Sequence, residues 1–109
     1  MNFFYDSLGY PGIDSYSEED NILVDFLLTD IQSDIYFIDE IEEIILSIMK
    51  DEIDNWEGNL NTYSIKIYQD KVLIVNEYNE GINQTYDMDK FFQIIKKWKN
   101  FIQNNNNNL

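Results

Sequence analysis

Tyr63-Ser64-Ile65-Lys66-Ile67-Tyr68-Gln69-Asp70-Lys71-Val72-Leu73-Ile74-Val75 is the stretch that decides the fold. Tyr63, Ile65 and Ile67 alternate with Ser64, Lys66 and Tyr68, and β-branched character resumes at Val72 after Gln69-Asp70. Alternation sends every second side chain to one face of a strand, and two such runs around a short polar break read as a hairpin. The break lacks the favoured Asn-Gly or Asp-Gly pair, so the pattern specifies the pairing and leaves the turn type open.

A half-apolar hairpin needs a second layer over it, and the flanking segments supply one. Downstream, Asp87 is a candidate N-cap for a helix in which Phe91, Ile95, Trp98 and Ile102 repeat at helical spacing, joined by Met88, Phe92, Ile94 and Phe101. Lys96, Lys97 and Lys99 fall in its later turns, where they would complement the negative end of the helix dipole. Upstream, Ser33 is a candidate cap for a helix carrying Ile38, Ile41, Ile45 and Ile48 on one face, with its end near Ile53. Asp39 with Glu42 offers a second start of capping-box type. In Trp56-Glu57-Gly58-Asn59, the Trp reads as a lid on the core and the Gly as a helix stop or turn.

Farther out, a short strand is expected around Gln84 to Tyr86 and another at Phe3-Phe4-Tyr5. Residues 6–20, from Gly9-Tyr10-Pro11-Gly12 through the acidic run Asp14 to Asp20, read as one long loop. Ile22-Leu23-Val24-Asp25-Phe26-Leu27-Leu28, short and apolar at nearly every position, reads as a strand covered on both faces. The Asn-rich end, residues 104–109, is expected to be disordered. With 109 residues, the chain is long enough for one core and too short for two. The expected fold is α+β: an antiparallel β-sheet packed against two amphipathic helices in a single domain spanning residues 1–103.

Charge is distributed unevenly over this frame. Residues 1–57 hold 16 Asp/Glu and a single lysine, Lys50, whereas residues 58–109 hold five acids and six lysines. At 44% hydrophobic and 16% aromatic residues, the chain has the apolar content to fold despite a net charge of −14. The absence of His and Cys removes disulfides, imidazole bases, thiolate nucleophiles and the usual zinc or copper ligands. Asp51, Glu52, Asp54 and Asn55 lack the order of a calcium loop, and nothing singles out a catalytic carboxylate pair. No enzymatic activity, cofactor or metal is therefore expected. The opening residues carry no basic and apolar leader pattern and no stretch is long enough for a membrane span, so a cytoplasmic protein is expected. Phosphate backbones and anionic leaflets repel such a surface, which makes a basic protein the expected partner.

Two acidic clusters are candidate partner-binding residues. Asp39, Glu40, Glu42 and Glu43 lie on the first predicted helix, without the interspersed lysines of an ordinary solvated face. Asp14, Glu18, Glu19 and Asp20, with Tyr10 and Tyr16, lie in the predicted loop, where tyrosine rings beside carboxylates suit a protein interface. The order of parts, an acidic helix ending in Trp56-Glu57-Gly58-Asn59, the Tyr63 to Val75 hairpin, and a closing helix Phe91-Phe92-x-x-Ile95-x-x-Trp98-x-x-Phe101, resembles small bacterial immunity proteins. These are the antidotes of polymorphic toxin systems, including contact-dependent growth inhibition. The resemblance covers residues 33–103 in general layout. It implies a cytoplasmic inhibitor that binds a basic toxin domain, an RNase or DNase, and occludes its active or substrate-binding site. The alternative is an acidic nucleic-acid mimic that inhibits a DNA-binding or restriction protein; a carboxylate-using enzyme or calcium-binding module stands third.

Overall fold

The computed structural model describes residues 1–107. In chain order the elements are β1 (Asn2–Tyr5), β2 (Pro11–Asp14), a 3-10 turn (Glu18–Asp20), α1 (Asn21–Phe26), a π-helical turn (Leu27–Ile31), α2 (Ile35–Met49), β3 (Trp56–Asn59), β4 (Tyr63–Ile67), β5 (Lys71–Asn76), β6 (Asn83–Asp87) and α3 (Met88–Asn107). Strands β3 to β6 form a four-stranded antiparallel meander in sequence order, and β1 and β2 form a separate two-stranded ribbon. The fold is α+β.

The hairpin is β4–β5, with Ile65 opposite Ile74 and Ile67 opposite Val72. Tyr68 N–H donates to the Lys71 carbonyl and closes the turn around Gln69-Asp70. The alternating residues Tyr63, Ile65, Ile67, Val72 and Ile74 are buried. They share one core with Ile38, Ile41, Ile45 and Ile48 of α2 and Phe91, Ile95, Trp98 and Ile102 of α3. Asp87 caps α3 as expected, its carboxylate accepting from the N–H groups of Asp89 at 3.1 Å and Lys90 at 3.3 Å. At α2 the cap is Asp34 rather than Ser33: its side chain accepts from Phe37 N–H at 3.0 Å. Asp39 and Glu42 lie inside the helix, which ends at Met49, short of Ile53. Helix α3 continues to Asn107, within the asparagine run, and the rest of the expected disordered tail, residues 108 and 109, lies outside the described residues. Lys96, Lys97 and Lys99 are therefore too far from the helix end to answer its dipole.

Three other expectations are corrected. Ile22 to Leu28 is not a strand but most of α1 and the start of the π-helical turn. Leu23, Val24, Phe26, Leu27 and Ile31 are all buried, and a helix enclosed on most sides carries apolar residues all round, which erases the polar face that identifies a helix in sequence. Its start is also hidden, because the Leu23 N–H donates to the hydroxyl of Tyr86, 63 residues away, at 3.0 Å instead of to a local cap. Residues 6–20 are not one loop. They contain β2, paired along its length with β1, and Ile13 is buried. Trp56 to Asn59 is not a helix end but β3, whose Glu57 sits opposite Lys66 on β4. Trp56 still packs on the core, and its indole covers Gly58 so closely that an added β-carbon would overlap the ring.

The ribbon lies along α3. Phe3 meets Trp98 edge-on at 5.1 Å between ring centroids, and Tyr5 stacks on Phe101 at 4.5 Å. Tyr86 of β6 ties the four-stranded sheet to the 3-10 turn, donating its hydroxyl to the Glu19 carbonyl at 3.1 Å.

Burial raises the Tyr86 phenol to about 12 and, with the Asp25 carboxylate beside it, pushes the Tyr63 phenol higher still. The folded protein thus holds both protons more tightly than the unfolded chain, whose tyrosines ionise near 10.0. Raised values mean stability that is complete below that pH and is lost as pH rises through the folded values. Folding stability, followed through the urea midpoint, is expected to be level from about pH 8 to pH 10 and to fall above it as the tyrosines of the unfolded chain ionise first. A midpoint unchanged through pH 11 would contradict this coupling.

Candidate partner-binding surface

Helical pitch divides the first acidic cluster in two. Asp39 and Glu42 turn toward α3, where Lys99 Nζ lies 2.6 Å from Asp39 Oδ1 and 3.3 Å from Glu42 Oε1. Both oxygens are shut off from solvent, so Lys99 is the partner that keeps these charges tolerable. The Asp39 carboxylate, opposed by burial and helped by Glu42, holds the ammonium above the usual lysine range. These two acids join α2 to α3. Glu40 and Glu43 point away from the core and are exposed.

Tyr36 belongs to the same outer row. It is 90% exposed and lies one turn before Glu40, with Glu43 another turn on. It was not among the candidate residues named from the sequence, although its place off the Ile38, Ile41, Ile45, Ile48 stripe already marks it as outward-facing.

The second cluster is dispersed. Asp14 ends β2, and Glu18 and Glu19 are exposed on the 3-10 turn beyond Tyr16, which is 41% exposed. Asp20 is only 9% exposed and pairs with Lys90 Nζ at 2.7 Å, fastening the start of α1 to the start of α3. Tyr10 lies at the other end of β2 from Tyr16. There it shares a cleft with Pro11, Leu28, Gln32 and Ser33, next to the beginning of α2. Lys90 and Lys99 are nine residues apart, about two and a half turns, and so leave opposite sides of α3. The groups they hold, Asp20 and the Asp39–Glu42 pair, are correspondingly separated, and the two clusters do not form one acidic face.

Other acids of the first half also work inside the fold. Asp30 accepts from the N–H groups of Thr62 at 3.0 Å and Tyr63 at 2.8 Å, and Asp25 accepts from the Tyr63 hydroxyl at 2.5 Å. Asp6 accepts from the N–H groups of Leu8 and Tyr10, each at 2.9 Å, and shapes the ribbon turn. Asp51 accepts from the Gln69 side chain. Much of the charge asymmetry therefore reflects capping and pairing that support the fold.

Among the described residues, no group of three or more carboxylates is arranged to hold a metal ion, and no helix is long and apolar enough to cross a membrane. Comparison with protein-family models, with characterised proteins and with solved structures yields no match.

Proposed function

We propose that this protein is an inhibitor of the immunity type, which binds a cationic toxin domain, a nuclease, and occludes its substrate-binding surface from the cytoplasm. The observation that supports this most is the outer row of α2. Tyr36, Glu40 and Glu43 share one exposed face of a rigid helix, and Lys50 is the first basic residue in the chain. A tyrosine gives contact area at small entropic cost, and carboxylates without neighbouring cations attract the Lys and Arg that a nuclease presents to phosphates. The surrounding net charge of −14 speeds encounter with such a partner. The separation of the two acidic clusters favours a compact contact over mimicry of a long duplex. Asp39, Glu42 and Asp20, once candidate contacts, are better assigned to the scaffold; Glu40 and Glu43 with Tyr36 come first, and Asp14, Glu18, Glu19 and Tyr16 belong to a second surface.

The test is association with the basic C-terminal domain of a large secreted protein encoded beside this one. A tight complex that blocks nuclease activity is expected. Glu40→Lys with Glu43→Lys should slow association at least about tenfold and flatten its salt dependence, while circular dichroism and thermal unfolding stay near wild type. Unchanged association kinetics in that double variant would remove the α2 face from the interface, and a neighbour of another kind would remove most of the support for a toxin partner.

A further inference from the structure

We propose that the cleft between the ribbon turn and the start of α2 seats an arginine side chain of the cationic partner, an inference that rests on the inhibitor reading above. The cleft has a volume of about 370 Å³ and is lined by Tyr10, Pro11, Leu28, Gln32 and Ser33. Pro11, Leu28 and the Tyr10 ring make its body apolar, and Gln32 and Ser33 put polar groups on its wall.

Two departures from regular backbone shape it. Helix α1 gives way to the π-helical turn, and Gln32 then adopts φ 51, ψ −132, a conformation that residues with a side chain rarely hold. Three hydrogen bonds fix Gln32 there. Its N–H donates to the Leu27 carbonyl at 2.7 Å, its side-chain Nε2 to the Thr29 carbonyl at 2.7 Å, and its own carbonyl accepts from Trp98 Nε1 at 2.8 Å. With Nε2 engaged in this way, the amide oxygen of Gln32 is left as an acceptor, and Ser33, which lines the same cleft, carries a hydroxyl. Backbone irregularities of both kinds recur at binding sites, where surrounding structure must hold them in place.

Arginine fits this chemistry better than other side chains. Its methylene stem matches Pro11 and Leu28, and its flat, weakly hydrated cation can lie on the Tyr10 ring and donate to the Gln32 amide and Ser33 hydroxyl oxygens. Lysine, a strongly hydrated point charge, stacks poorly and gains less from the same walls. Charge complementarity points the same way. Residues 1–49 contain no lysine or arginine, so every charged side chain on the segments that build the cleft is a carboxylate. Ser33 is also only three residues before Tyr36, which places the cleft at the head of the row Tyr36, Glu40, Glu43.

The experiment is an amide-resonance titration of the full chain with tetra-arginine and tetra-lysine peptides in ~0.15 M salt. Tetra-arginine is expected to shift the Leu28, Gln32 and Ser33 amides, at several-fold lower concentration than tetra-lysine. Ser33→Trp, which fills the mouth from an exposed position, should abolish those shifts and keep the ones at Glu40 and Glu43; Tyr10→Ala should weaken them. Shifts confined to Glu40 and Glu43, or equal responses to both peptides, would overturn the arginine seat while leaving the acidic face as a docking surface. No response at either place would overturn both.

Discussion

Trp98→Ala is expected to cost about 3–5 kcal/mol of folding stability, the usual range for removing a large buried aromatic. Trp98 is fully buried, meets Phe3 edge-on and lies 5.6 Å from Phe101 between ring centroids, so its loss opens a cavity where the ribbon, α3 and the core come together. It would also remove the N–H that donates to the Gln32 carbonyl, releasing a strained residue from one of its restraints. A domain of this size has only about 5–15 kcal/mol in total, so the variant should lie near the edge of folding at 25 °C. Trp98→Phe, which keeps the ring packing and loses the donor, should fall between the two. Urea unfolding of the three proteins checks the order, and a loss below about 1 kcal/mol for the alanine variant would contradict the role given to this residue.

Asp30→Ala is expected to cost about 2–4 kcal/mol, because it leaves the backbone N–H groups of Thr62 and Tyr63 without their acceptor at the start of β4. The carboxylate is partly buried, both of its oxygens are engaged, and hydrogen bonds to a charged acceptor are the stronger kind. The bonds span more than 30 residues and tie the end of the π-helical turn to the edge of the hairpin. Asp30→Asn keeps one acceptor and should lose about half as much. Besides the unfolding midpoint, hydrogen exchange at the Thr62 and Tyr63 amides should quicken in the alanine variant more than at Ile74 in the neighbouring strand. Uniform exchange across the sheet would indicate a global effect rather than a local lost anchor.

What was legible in the sequence followed from periodicity. The β4–β5 hairpin, the α2 stripe and the Asp87-capped α3 each bury one face and expose the other, so their pattern survives as a one-dimensional signal. Helix α1 failed for the opposite reason, since burial on most sides left no polar face to read. Strand β2 failed because its partner β1 and the turn between them are short, and Pro11 and Gly12 look like loop residues until the Phe4 ring is seen lying over Gly12. The acidic character was legible, but its use was not. Tyr36, Glu40 and Glu43 were separable from Asp39 and Glu42 by helical angle alone, whereas the reason for the division, Lys99 arriving from α3, was not.

By itself the sequence determined an α+β chain with a sheet, two amphipathic helices and an acid-rich first half, because those properties depend on local spacing and composition. Only the tertiary structure decided which carboxylates are engaged within the fold, because Lys90, Lys99 and the N–H groups of Thr62 and Tyr63 claim theirs across more than 30 residues of chain. It likewise moved Tyr10 from its neighbours in sequence to the head of α2, since strand pairing sets the two ends of β2 apart and packing on α3 fixes where each end lies.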